Sequence, residues 1–214
     1  MAAAAPKRRR IRRSPELAER EILDAAEALL AERSYQDLSV DQLMQRTGMT
    51  RSTFYHYFRG LDEVAVGLLE RVQVEMMEAV APWLASSAET DDLVGAIEQG
   101  LLDVARVYAE HRLVLAAIDR AAHHHETVAS AWRRGVLEPW TAAVTELVQT
   151  NGARGLSAVE KPEQVAEALL LMTMAVFFER LGLEPADPPE DVAKTLARIW
   201  IGALYPEGLT ARGR

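Results

Sequence analysis

The sequence predicts an all-α chain, a small three-helix head followed by a larger helical body, with about nine helices in all. Three observations carry this. Apolar residues recur at helical spacing in nearly every segment, and the valine–isoleucine alternation of half-buried strands is missing. Glycines and prolines fall between the apolar stripes and cut the chain into helix-length pieces. Apolar residues make up 49% of the 214, enough for a real core.

Ser14 followed by Pro15 is a helix start, with serine as cap and proline in the first turn. Ile22, Ala25, Ala26 and Leu29 then share one face, and the helix is expected to end near Arg33. Ser39 and Gln42 have capping-box spacing for a second helix through Thr47. Gly48 supplies a turn, Thr50 caps a third helix over Arg51–Phe58, and Gly60 breaks it. A fourth helix is predicted from Leu61 to about Val80, with Asp62 and Glu63 favourable in its first turn. Val64, Leu68, Val72, Met76 and Val80 repeat every four residues along it, and Pro82 with Ser86–Asp91 should end it.

The fifth and sixth helices cover about Asp92–Ala109 and Leu113–Ala122. The seventh, about Thr127–Thr150, carries Trp132 and Trp140, with a kink expected at Pro139. After a loop over Asn151–Lys161, the eighth runs from Pro162 to Leu181 and stops at Gly182. Pro185, Pro188 and Pro189 precede the last helix, about Glu190–Leu204. The domains are then a disordered basic arm (1–13), a helix-turn-helix head (14–60), a body (61–207) and a disordered tail (208–214).

A net charge of −8 argues against nucleic acid until it is divided. Residues 1–60 carry 11 basic and 8 acidic side chains, and residues 61–214 carry 13 and 24. A positive end on an acidic body orients the molecule towards phosphate. The run Lys7 to Arg13 is a basic arm, with Arg12 and Arg13 closest to the head. With no cysteine, neither a disulfide framework nor a zinc finger is possible. No apolar run reaches the 18 or so residues of a membrane span, no signal peptide is read at the N-terminus, and a cytoplasmic location is expected.

Residues 39–64 carry the function. In the third helix Phe54 and Phe58 lie four apart on one face and should pack on Ile22, Ala26, Leu29 and Leu43. Arg51, Ser52, Thr53, Tyr55, His56 and Tyr57 are left at the N-terminus or on outer faces, where each can reach a phosphate or a base edge. Arg51 is the best base reader, because its fork matches guanine O6 and N7. Ser52 and Tyr55 are candidates for base edges. Thr53, His56 and Tyr57 are candidates for phosphates, and Ser39 and Val40 lie where helix amides favour an anion. The plain alternative is that Phe-Tyr-His-Tyr-Phe is only core. A three-helix unit cannot bury all five, so the outward residues need another explanation.

These residues resemble the DNA-binding domain of the TetR family of bacterial repressors. The resemblance covers residues 17–65 and rests on Ile22-Leu-Asp-Ala-Ala-Glu-Ala-Leu-Leu, Ser39-Val-Asp-Gln-Leu, Thr47-Gly-Met and above all Thr53-Phe-Tyr-His-Tyr-Phe58. The family usually has a phosphate-binding lysine where this chain has Leu61, and Arg59 is the candidate replacement. The resemblance implies a dimer of helical subunits whose body binds a ligand. A weaker similarity, carried by Trp132, Trp140, Ala168-Leu-Leu-Leu-Met and Arg198-Ile-Trp-Ile-Gly-Ala-Leu-Tyr205, points to the ethionamide-resistance regulator type.

The eighth helix reads apolar all round from Ala168 to Phe178 and must be covered on every side. Pairing it and the last helix with their copies about a two-fold axis would cover it, through Leu169, Met172, Val176, Leu196, Ile199 and Ala203, beside Val192. A two-fold dimer presents two reading helices to successive major grooves, about 34–36 Å apart, so a pseudo-palindromic operator is expected.

A ligand pocket is expected between the fourth, fifth, seventh and eighth helices. Ile97, Leu101, Val104 and Tyr108 share one face; Trp132, Val136, Trp140 and Val144 share another; Thr173 and Phe177 complete the lining. The family places asparagine in this part of the eighth helix, where Leu170 and Thr173 stand here, so the expected ligand is small and lipophilic with a single hydrogen-bond acceptor. Ordinary core packing is the alternative for each lining residue.

His123, His124 and His125 do not make a metal site, since neighbours on a helix point about 100° apart; an exposed linker is expected. No cofactor is implied. An enzyme is disfavoured because no cysteine nucleophile, phosphate loop or His–Glu metal spacing is present. The expected function is a ligand-responsive DNA-binding regulator, most simply a repressor released by its ligand. The alternative is a helical small-molecule carrier or adaptor without sequence-specific DNA binding.

Overall fold

Ser14 does cap the first helix: its hydroxyl accepts the Leu17 amide at 3.3 Å, with Pro15 in the first turn of α1 (Pro15–Leu30). A computed structural model of the chain describes residues 14–86 and 92–205. The predicted arm (1–13, with Arg12 and Arg13), the tail (208–214) and residues 87–91 of the predicted break lie outside the described residues. Among the described residues there is no strand, and ten α-helical segments carry the fold. They are nine if the two that a π turn joins are taken as one.

α1 stops three residues earlier than expected. The Glu32 and Arg33 amides both turn back to the Leu29 carbonyl at 3.0 Å, and a 3₁₀ turn over Tyr35–Asp37 follows. A single such turn has too few residues to show a period. α2 (Val40–Thr47) opens on a complete capping box: Ser39 accepts the Gln42 amide at 3.3 Å, and Gln42 accepts the Ser39 amide at 2.9 Å. Gly48 ends it at φ 66°, a left-handed conformation that costs glycine least. Thr50 caps α3 (Arg51–Tyr57), and Phe58 already has extended backbone.

α4 (Leu61–Ser86) is longer than predicted and runs through Pro82. Proline removes one helical hydrogen bond, yet continuing the helix seats Trp83 in the core, edge-on to Trp200 at 6.2 Å. Trp83 lies against Gly100 of α5 (Leu93–Glu110), where a Cβ would come within 2.8 Å of the indole. α6 (Arg112–Ala122) and α7 (Glu126–Trp132) follow.

The expected kink at Pro139 is instead a π turn over Arg133–Leu137 leading into α8 (Glu138–Ala153). Pro139 has no amide for the Gly135 carbonyl and its ring crowds that oxygen; a widened turn relieves both. α9 (Pro162–Phe177) likewise passes into a π turn over Phe178–Gly182, and α10 (Pro189–Leu204) closes the chain. α10 packs chiefly on α5, α5 on α4, and α8 on α9. The C-terminal end is tied down by buried Asn151, whose amide donates to the Tyr205 hydroxyl at 2.8 Å, and by Ser157, which donates to the Leu204 carbonyl at 2.8 Å.

The close approach of Trp83 to Gly100 yields a prediction whose sign is diagnostic. Alanine is the better helix former by about 1 kcal/mol. Gly100→Ala is nevertheless expected to lower stability by about 1–3 kcal/mol, because the methyl overpacks the indole. Urea denaturation measures it, and a more stable variant would contradict the packing.

Candidate nucleic-acid interface and ligand cavity

The inner face of the head is closed by Ile22, Ala26, Leu29, Leu43, Phe54 and Phe58, all buried. With Phe54 and Phe58 held inside, helical geometry turns Ser52, Tyr55 and His56 away from that face, Arg51 stands at the helix N-terminus, and all four are exposed. Tyr55 is 53% exposed despite standing edge-on to Phe54 at 5.3 Å. Thr53 and Tyr57 are half-buried, and the Thr53 hydroxyl lies 2.9 Å from that of the capping Thr50.

Arg51 is not left loose. Its Nη1 donates to both Asp41 oxygens at 3.1 Å, and a hydrogen bond with Tyr55, then the Asp41 charge, hold the guanidinium firmly protonated. Asp41, across the turn on α2, carries no local sign of this role in the sequence. Ser39 spends its hydroxyl on the capping box, and Val40 packs half-buried against the core, so what this corner offers an anion is its backbone amides. Leu61 is half-buried against the core, while Arg59 is 93% exposed, its Nε 3.4 Å from Glu63.

Head and body meet in a polar joint that periodicity does not reveal. Asp62, at the start of α4, accepts from the Tyr35 hydroxyl at 3.1 Å and lies 3.1 Å from His125 Nδ1. Burial, then the Asp62 charge, pushes the Tyr35 phenol well above its usual range, so it stays a donor. Arg71 reaches Asp24 at 2.8 Å and Glu27 at 3.7 Å, and His111 stands between Glu27 at 3.4 Å and Glu75 at 2.8 Å. His125, expected in an exposed linker, is half-buried and stacks edge-on to Tyr35; His123 and His124 are exposed.

The predicted pocket residues fall into two cavities and the core. Ile97, Leu101, Val104, Trp140 and Thr173 line a small apolar cavity of about 20 Å³ with Val80, Trp83 and Trp200. Its polar groups are few: Thr173 accepts from Trp200 Nε1 at 2.9 Å, and buried Trp140 Nε1 has no hydrogen-bond partner among the described residues. Tyr108, Trp132 and Val136 line a separate, open groove. Val144 and Phe177 line neither and are fully packed.

The predicted pairing face needs correction too. Leu169, Val192 and Leu196 are buried within their own subunit, because α9 packs on α8 and α10 turns the side of Val192 and Leu196 onto α5. Ile199 is 44% exposed, Ala203 is exposed, and Met172 and Val176 are half-buried. Ala168 and Ala175 are exposed beside them, so α9 is not covered on every side by the described residues.

A family model described as bacterial regulatory proteins, tetR family, matches residues 22–66. A second, described as the C-terminal domain of the transcriptional regulator EthR, matches residues 97–206. The chain is 31% identical to the HTH-type transcriptional regulator EthR of Mycobacterium tuberculosis, over 94% of this chain and 93% of the relative. It is 28% identical to the regulator of that name from Mycolicibacterium smegmatis, over 92% and 91%. Among solved structures, Salmonella enterica GusR superposes with a TM-score of 0.69 at 21% identity, over 90% of this chain and 98% of that one; this likeness concerns the fold.

Tyr35→Phe removes the joint's phenol without opening a cavity. It is expected to cost about 0.5–1.5 kcal/mol by urea denaturation. No loss would mean that the Tyr35–Asp62 contact does not hold the head in place.

Proposed function

The chain belongs to the TetR family of bacterial regulatory proteins, and from that premise we propose that it is a repressor that grips a pseudo-palindromic operator as a two-fold dimer and lets go when a small lipophilic ligand enters its body. It is a helix-turn-helix transcriptional regulator; the relatives it matches are regulators, not enzymes. No helix of the described residues is long and apolar enough to cross a membrane, and we place its work in the cytoplasm, where the DNA is.

The observation that carries the proposal is the outward surface of α3. Arg51, Ser52, Tyr55 and His56 are exposed on a helix whose other side is locked into the core by Phe54 and Phe58. In this proposal Arg51 trades Asp41 for a base edge, helped by Ser52 and Tyr55. Thr53, His56, Tyr57, Arg59 and the amides at Ser39 and Val40 hold phosphates, and Arg12 and Arg13 reach the neighbouring backbone or minor groove. The exposed apolar strip of Ala168, Ala175, Ile199 and Ala203, with Met172 and Val176 beside it, supports pairing of α9 and α10 with their copies.

We assign the ligand to the apolar cavity, where Trp140 Nε1 lacks a partner among the described residues and Thr173 is the nearby hydroxyl. A molecule with one hydrogen-bond acceptor would satisfy that donor. At about 20 Å³ the cavity must widen to admit it, displacing Val80 and Trp83 on α4. α4 begins directly after Gly60, so its movement tilts α3 against the groove. A coupling of about 1–3 kcal/mol is sufficient for release.

Selection of binding sites from a random duplex library at fixed, moderate salt tests the DNA side. An enriched inverted repeat is expected, with Arg51→Ala losing roughly tenfold or more of its discrimination at one base step of each half-site. No enrichment with the unaltered protein would favour the carrier reading. On the ligand side, hydrophobic compounds that raise the melting temperature of the wild type should stabilise Trp140→Phe and Thr173→Val distinctly less. Equal stabilisation of all three proteins would remove the ligand from this cavity.

A further inference from the structure

Given the DNA-reading role proposed for α3, on which this rests, we infer that Asp41 is a second specificity residue of the head. Its carboxylate accepts the N4 amino group of a cytosine in the base pair adjoining the guanine that Arg51 takes.

Asp41 is the only acid in residues 39–58, which hold the whole of α2, the turn and α3. A carboxylate on a surface that meets phosphates opposes their attraction wherever it stands. Its place in the first turn of α2 suits the helix dipole, which accounts for an acid there but not for its aim. The aim is across the turn, where both oxygens lie 3.1 Å from Nη1 of Arg51 at the N-terminus of α3. Both side chains are exposed, on the side of the head that carries Ser52 and Tyr55.

The form of the pair makes it exchangeable. One guanidinium nitrogen serves both oxygens, so the fork-on-fork pairing that locks an arginine to a carboxylate is not made. An exposed pair of this kind contributes little to stability, and giving it up costs little. When Arg51 turns to guanine O6 and N7, Asp41 is released with its charge uncompensated. The donors that the major groove offers a carboxylate are the amino groups of cytosine and adenine, while guanine and thymine present acceptors that repel it. Adenine N6 stands beside N7, a further acceptor, whereas cytosine N4 has only a C–H as neighbour. Cytosine is therefore the base that fits, and the other three are rejected by repulsion as much as by a missing bond. The carboxylate lies 3.1 Å from the guanidinium, close to the step of about 3.4 Å between successive bases of a strand, so it reaches the adjoining base pair.

The test selects sites from a random duplex library, at one salt concentration, with the wild type, Arg51→Ala, Asp41→Ala and Asp41→Asn. Arg51→Ala should flatten a guanine position of the wild-type repeat. Asp41→Ala should flatten an adjoining cytosine position, losing roughly tenfold in discrimination there. Asp41→Asn should move that position from cytosine to adenine, whose N6 and N7 an amide matches. A duplex with N4-methylcytosine at the position keeps Watson–Crick pairing but replaces the groove-facing N–H with a methyl. By fluorescence anisotropy it should bind the wild type at least tenfold more weakly than the unmodified duplex, and bind Asp41→Ala as well as the unmodified duplex does. Circular dichroism checks that both Asp41 variants fold. If the wild type enriches no repeat, the DNA-reading proposal and the Asp41 assignment fall together. With a repeat enriched, the Asp41 assignment alone falls if Asp41→Ala flattens only the Arg51 position, as a residue that merely steadies Arg51 would. It falls equally if both Asp41 variants change affinity for every sequence alike, as charge alone would, or if N4-methylcytosine weakens wild type and Asp41→Ala to the same extent.

Discussion

One helix has to satisfy two cores at once, and the rest of the structure follows from that. The N-terminal part of α4 packs into the head: Val64 and Leu68 are buried, and Gly67 lets Leu23 of α1 come to 3.0 Å from where a Cβ would stand. Its C-terminal part, with Val72, Met76, Val80 and Trp83, is core of the body and wall of its cavities. The buried residues of head and body form one contiguous cluster. A rigid element shared in this way cannot shift at one end without loading the other, because close-packed interiors do not deform smoothly.

The polar joint adds direction to that coupling. Asp62, Tyr35 and His125 pin the start of α4 to the 3₁₀ turn and to the α6–α7 corner, while Arg71 and His111 tie its next turns to Asp24 and Glu27 on α1. These contacts are partly exposed, and each alone contributes little. Their geometry restricts how the head can tilt, since they bracket α4 from two sides. The Arg51–Asp41 pair works on a smaller scale, holding in place the guanidinium that we propose reads a base edge.

Much of this was legible in the sequence. Caps at Ser14, Ser39 and Thr50 and the turn at Gly48 are local chemistry, and each was visible. The inward pair Phe54 and Phe58 followed from spacing alone. What was hidden depends on distant partners. Pro82 argued for a helix end, yet α4 runs past it to seat Trp83 against Gly100 and Trp200. Periodicity marked Leu169 and Leu196 as apolar without telling inner core from a pairing face. It gathered Trp132 and Trp140 on one stripe, but the π turn between them widens the helix and sends them to different cavities. His125 gains its role from Asp62, 63 residues away, and Asp41 from Arg51 across the turn, and helical periodicity shows neither pair.

The most direct test of a shared core is whether head and body unfold together. All four tryptophans lie in the body or on the part of α4 inside it, and the chain has no cysteine, so Gln45→Cys on α2 can carry a single fluorophore in the head. Urea titration followed by tryptophan emission and by the label should give coincident transitions, as expected of one cooperative unit. A head that melts at clearly lower urea than the body would contradict the account, since α4 would then be a tether between two independent domains.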